Sequence, residues 1–192
     1  MMVQSSLNIL GSYAVAAFTA GSKIESIFTQ AFVAIGTAMS TYNAQNIGAR
    51  KLDRVRKGFR SADVIGCTYG VLVGFILFFV GKYFAYLFIS DNAEVVIPMV
   101  ETYLQCVGMF MIPLYVVNSY RNGFQGMGYG LLPMLSGVAE LVGRGIMAIV
   151  ASNKKSYTMA CMASPFAWIV ATVLLIGLYF YVMKDMKKKL CL

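Results

Sequence analysis

Five apolar runs, each about as long as a bilayer is thick or longer, leave this chain few folds to choose from. They cover roughly residues 13–42, 61–80, 95–120, 131–151 and 158–183, and an α-helix needs about 20 residues to cross the hydrocarbon core. Backbone in that medium must satisfy its own N–H and C=O groups, so runs of this kind read as helices. The sequence therefore predicts an all-α, polytopic helical membrane protein with five full transmembrane helices. Residues 1–11 read as the outer end of a sixth helix, stopped by Asn8 and Gly11. Residues 1–192 then form a single transmembrane domain, whose first run is long enough to tilt, bend or reach beyond the bilayer.

Composition agrees. Charged residues are only 12% of the chain against 59% hydrophobic, where a soluble domain carries about 25% charged. Mean hydropathy is +0.70. The net charge of +8 would raise nucleic acid as a partner in a soluble protein. Here no polar domain exists to carry such a function, and the lipid bilayer with its anionic headgroups is the expected neighbour.

The charges are unevenly placed. QNIGARKLDRVRKGFR, Gln45 to Arg60, reads as a cationic loop carrying Arg50, Lys51, Arg54, Arg56, Lys57 and Arg60 against Asp53 alone. Such loops stay on the cytoplasmic side and orient the spans around them. With alternating spans, that loop, an Arg121 loop and the tail with Lys184, Lys187, Lys188 and Lys189 share one side. Eleven basic residues fall there and three (Lys82, Lys154, Lys155) on the other. The expectation is a multi-pass protein of the cytoplasmic (inner) membrane with a cytoplasmic C-terminus.

Catalysis finds no support. HExxH, GxSxG and P-loop patterns are absent, histidine is absent, and the four cysteines show no CxxC spacing. Neither an enzyme, a metal site nor a cofactor is expected. No basic n-region with a short apolar core and cleavage site begins the chain, so a secretory signal is not expected either.

Ionisable residues within the apolar runs are costly and mark function or pairing. Lys23 and Glu25, two apart, point to different helix faces, so each should meet another helix or water. Glu140 and Arg144 stand at i,i+4 with the acid first, the favourable order for an ion pair. Asp63 and Glu101 lie near run ends and read as interfacial. Gln45 and Asn46 close the first run, with Gly48 supplying a left-handed stop. Gly66, Gly70 and Gly74 line one face of the second run, where a neighbouring helix can approach closely. Gly123, Gly126, Gly128 and Gly130 suggest a tight or mobile turn. Pro113 and Pro165, and Gly143 with Gly145, can bend their helices.

The run AVAAFTAGSKIESIFTQAFVAIGTAMSTYNAQNIGARKLDRVRKGF, Ala14 to Phe59, resembles the multidrug and toxic compound extrusion (MATE) family. So do NSYRNGFQGMGYGLLPMLSGVAELVGR and SPFAWIVATVLL further on. The resemblance implies a twelve-helix transporter of two six-helix lobes working by alternating access. On that mapping the chain is the C-terminal lobe, holding helices eight to twelve and the end of seven, with an N-terminal lobe as partner. The implied activity is cation-coupled (H⁺ or Na⁺) antiport exporting small amphipathic or cationic drugs and toxic compounds. Glu25, Gln45, Asn46, Glu140 and Arg144 are its candidate pathway residues. The family's acid in the middle of helix ten has no counterpart in CVGMFMIPLYVVN, so the coupling acid is expected outside this chain. A lipid-linked oligosaccharide flippase of related fold, or an inactive remnant or membrane scaffold, are the alternatives.

Overall fold

The computed structural model describes residues 7–87, 89, 92–154 and 156–190, and every regular element among them is helical. A helical stretch at residues 7–10 breaks at Gly11 (φ 101), and α1 follows, Ser12–Gly48. Next come α2 (Leu52–Phe79) and the short α3 (Gly81–Ala85). α4 (Ala93–Gly108) and α5 (Met111–Gly126) form a bent unit. α6 is Leu131–Lys154, and α7 (Tyr157–Cys161) leads into α8 (Ala163–Lys189).

Three segments, α2, α6 and α7–α8 together, are long and apolar enough to cross a membrane. The bent pair α4–α5 makes a fourth if it is one span. The all-α polytopic class read from the sequence is thus the one observed. α1 is different: its 37 residues rise about 55 Å, ample to cross, yet it falls outside the apolar set. The cause lies in its polar face, described below.

Proline, not glycine, places the sharp bend. α4 and α5 meet at 54° across Met109 and Phe110, because Pro113 has no N–H to offer the Met109 carbonyl. Pro165 sits in the first turn of α8, where a missing N–H costs nothing. Gly143 and Gly145 leave α6 unbroken. Gly143 instead admits α8, since a Cβ there would lie 3.1 Å from Ala167 Cα. Gly66, Gly70 and Gly74 form the expected packing seam. The first makes room for the Tyr115 ring, and a Cβ on Gly74 would stand 2.6 Å from the Gly108 carbonyl oxygen.

The cationic stretch is mostly helix rather than loop. The turn is confined to residues 49–51, where Lys51 N–H reaches the Asn46 carbonyl at 2.8 Å. Gly48 does not supply the left-handed residue; it is the last residue of α1, and Arg50 takes φ 56. That conformation costs a non-glycine residue roughly 1 kcal/mol. Helix resumes at Leu52 because Leu52, Val55, Phe59 and Ala62 make a buried apolar stripe. Arg54, Arg56, Lys57 and Arg60 consequently project from the open side of α2's first turns.

The Arg121 loop is likewise helix. Arg121, Gly123 and Gly126 belong to α5, with the two glycines packed on Phe59 and Ser40, and only residues 127–130 turn. α5 is the hub of the bundle, touching α1, α2, α6 and α8. One buried cluster (Phe32, Val100, Leu104, Tyr115, Trp168) fills the half near α4. A second (Val55, Phe59, Phe124, Leu175, Val182) fills the half near the cationic turn.

Candidate functional site

α1 buries its small and apolar side, Ala14, Ala17, Gly21, Ile24, Phe32 and Gly36, against α4 and α5. The opposite side carries Thr19, Lys23, Ser26, Gln30, Thr37, Thr41 and Gln45, all exposed. Their spacing of three, four or seven keeps them on one face. Thr19, Ser26 and Thr37 turn their hydroxyls back to Val15, Lys23 and Val33 carbonyls at 2.8, 2.7 and 3.0 Å. Such back-bonding satisfies a hydroxyl within its own helix. The Lys23 amine and the Gln30 and Gln45 amides need water or another polar surface.

Glu25 lies on the packed side of α1, at the angle of Phe32 and Gly36, and is not paired with Lys23. Its carboxylate accepts a hydrogen bond from Tyr103 of α4, whose ring lies over Gly21 and meets Phe18 edge-on at 4.9 Å. Arg144 of α6 is exposed, and its charge reaches Glu25 across the gap to α1. The structure thus brings two of the sequence-selected residues, Glu25 and Arg144, to the same side of the bundle.

Glu140 pairs with a different arginine from the one its spacing suggests. Arg121 Nη2 donates to Glu140 Oε2 at 3.0 Å, and Arg121 Nε donates to Ser136 Oγ at 3.0 Å. Ser136 in turn donates to the Pro133 carbonyl at 2.7 Å. Glu140 is only 15% exposed, so it is matched by a guanidinium held in place from the packed side. Arg144, one turn on, stays open. This chain of bonds ties α5 to α6.

Gln45 and Asn46 separate. Gln45 ends the open face of α1, whereas Asn46 turns inward and donates to the Tyr42 carbonyl at 2.8 Å. Its neighbour Asn43, which sequence reading passed over, is fully buried and donates to the Gly123 carbonyl at 3.1 Å.

Asp63 was expected at an interface; it turns instead into the protein. Tyr120 donates to its Oδ2 at 3.0 Å and Tyr115 to its Oδ1 at 3.2 Å. The clue in the sequence was the pair of tyrosines late in an apolar run, since a buried phenol seeks an acceptor. Asp185 was missed altogether. It accepts from Tyr129 at 2.5 Å and from Lys189 at 2.7 Å, joining the α5–α6 turn to the end of α8. Burial first, and the bond to Asp185 second, push the Tyr129 phenol up to about 12.

Among the described residues, no three His, Cys, Asp or Glu side chains converge as metal ligands would. What the arrangement offers is isolated carboxylates on hydroxyl donors within the packed bundle and, on another side of α1, an open polar face. A cleft of about 380 Å³ also opens between α1 and α2, lined by Ile35, Met39, Tyr42, Lys57, Gly58 and Ile65.

Comparison with known proteins identifies the lineage. The sequence model of the MatE family matches residues 1–150. The chain is 30% identical over 135 residues to the "Probable multidrug resistance protein YpnP" of Bacillus subtilis (strain 168), an alignment covering 70% of this chain. It spans about 30% of that relative's length. An all-helical membrane bundle and a family match over more than three quarters of its residues lead to one conclusion: the chain belongs to the MATE family.

Proposed function

We infer that this chain is the C-terminal lobe of a multi-pass transporter exporting small amphipathic or cationic compounds, with α1 forming one wall of their path. The observation that carries this reading is the open polar face of α1. A helix with that face toward lipid would leave Lys23 and Gln30 in hydrocarbon; an aqueous path between lobes removes the penalty. The Bacillus relative's name, a multidrug resistance protein, points the same way.

Alternating access needs two bodies rocking about a shared site, and the second body is an N-terminal lobe against the α1 face. Export is driven by H⁺ or Na⁺ moving inward. Compound and ion favour different states, so each shifts the equilibrium against the other. Glu25 provides the negative charge that a cationic compound meets, and Arg144 moderates it. Gln45 ends the open face near the cationic turn, with Asn46 packed behind it. Glu140 holds α6 to α5. Arg50, Lys51, Arg54, Arg56, Lys57 and Arg60 keep that end in the cytoplasm, and the C-terminus with it. The role is transport, not catalysis.

The test is export of a lipophilic cationic dye from cells lacking other pumps, expressing the full transporter that contains this lobe. Glu25→Gln should slow export by about tenfold at matched expression, the value of roughly 1.4 kcal/mol of lost charge interaction. Unchanged export in Glu25→Gln would remove this carboxylate from the path. An inert wild type would remove the function.

A further inference from the structure

Asp63 is the one described carboxylate held only by hydroxyl groups from two points of a single neighbouring helix. It stands on α2, away from the open face of α1, where α2, α5 and α8 meet. Tyr115 and Ser119 are both fully buried. Tyr115 Oη lies 3.2 Å from Asp63 Oδ1 and also 3.2 Å from Ser119 Oγ. Tyr120, 3.0 Å from Asp63 Oδ2, is packed among the rings of Phe59, Phe124 and Tyr179.

Counting protons shows what this geometry permits. A phenol has one proton to give and lone pairs to accept with. When Asp63 is ionised, Tyr115 and Tyr120 both donate to it, and Ser119 donates to Tyr115. When Asp63 takes a proton on Oδ1, that new O–H donates to Tyr115 Oη. Tyr115 then rotates its own proton to Ser119 Oγ, 3.2 Å away. The carboxyl group and both phenols keep a partner in both states through rotation of hydroxyl protons. The Glu140–Arg121 pair has no such freedom, because a guanidinium cannot accept a hydrogen bond.

We propose that Asp63, Tyr115, Ser119 and Tyr120 form a proton-binding site that reports its occupancy to the bend between α4 and α5. The ligand is a proton and not a metal ion. Both hydroxyl protons point at the carboxylate, which occupies the lone pairs that a metal would need. One O–H bond forms on Asp63 at the expense of one in hydronium, and water is released. Tyr115 and Ser119 lie on the first turns of α5, just past the 54° break. The Tyr115 ring also fills the notch at Gly66 and meets Phe32 of α1 at 5.8 Å. Gain or loss of charge at Asp63 therefore acts where the bent span is anchored to both α1 and α2.

The groups facing the site are few. α5 contributes Tyr115 and Tyr120, and α8 contributes Tyr179, which also feels Arg56 and Arg60 of α2. Cys67 is the next ionisable group along α2. α1 presents the apolar Phe32. α4 meets α2 further along, at Gly74 through Gly108.

The proton site stands on geometry; its use in driving export rests on the transport reading above. The two are separated by paired measurements on the purified full transporter. In infrared pH titration, the wild type should show a carboxylic-acid band absent from Asp63→Asn. Tyr115→Phe, which removes a donor to the carboxylate, should move the titration midpoint up by about one pH unit. Ser119→Ala removes the acceptor that the protonated state needs and should move it down by a similar amount, about one unit. Midpoints unmoved by both changes, or a band that survives in Asp63→Asn, overturn the site. In liposomes, Asp63→Asn should keep dye counterflow while losing at least about tenfold of dye accumulation driven by a pH gradient. Full gradient-driven accumulation in Asp63→Asn overturns the coupling role. A wild type that moves no dye under any gradient overturns the transport reading while the titration still decides the site.

Discussion

α1 and α6 are long helices with one packed and one open face, and they are inside out relative to each other. α6 leaves Leu131 (76% exposed), Val138, Leu141 (68% exposed), Ile146 and Ile149 open and turns Ser136 and Glu140 inward. α1 leaves Thr19, Lys23, Ser26, Gln30 and Thr37 open and packs Ala17, Ile24 and Phe32 inside. A bilayer suits the first arrangement, while water or another polar surface suits the second. An average of hydropathy along the chain hides this, because it sums both faces of each helix.

The largest effect should come from the inward polarity of α6. Glu140→Ala leaves the partly buried Arg121 charge without its partner, a loss of about 3–5 kcal/mol. Thermal unfolding in detergent should show it, and the double change Arg121→Met with Glu140→Leu should recover most of it. A single variant as stable as wild type would mean that α6 is not held by this pair.

Somewhat smaller is the cost of reversing an open face. Leu141→Lys should lose about 3 kcal/mol of insertion and folding free energy, read as folded yield from membranes. Gln30→Lys should lose little. Equal losses would erase the distinction between the two open faces.

Labelling sharpens the same contrast. With the four native cysteines replaced, Ser26→Cys and Thr37→Cys in the full transporter should react with a water-soluble maleimide. Leu141→Cys and Ile149→Cys should react at least about tenfold more slowly, being in lipid where thiolate does not form. Equal rates at all four positions would place both faces in one medium.

The smallest effect belongs to the contact that pins α8 to the α5–α6 turn. The fold holds the Tyr129 proton more tightly than the unfolded chain does. This contact therefore stabilises fully below the ordinary phenol value of 10.0 and is lost as pH rises through about 12. Asp185→Asn should lower the pH at which Tyr129 ionises, seen by ultraviolet absorbance against a Tyr129→Phe control. No shift would mean that burial alone sets it.

The clearest sequence signals were those carried by one helix at a time. The helical character of the apolar runs, the glycine seam of α2 and the bend at Pro113 all depend on local geometry and are found. Of the five expected spans, however, only three among the described residues, or four counting the bent pair, are apolar enough to cross. Local pattern also misled where two patterns overlapped. The cationic stretch looks like a loop by charge, but Leu52, Val55 and Phe59 impose helical period on it. Gly123 and Gly126 look like turn residues, yet they are packing surfaces for Phe59 and Ser40.

Pairing between helices was beyond reach of spacing. Glu140 stands correctly placed for Arg144 and takes Arg121 instead, because Arg121 arrives from α5 already braced by Ser136. Asp63 reads as an interfacial acid until α5 sets Tyr115 and Tyr120 against it. By itself the sequence determined that this chain is an all-helical membrane protein of the MATE lineage, since the bilayer's demand for self-satisfied backbone acts on each run alone. Only the tertiary structure decided which carboxylate meets which donor. A buried charge takes the partner that packing holds in place, and neighbours in sequence do not record which helices packing brings together.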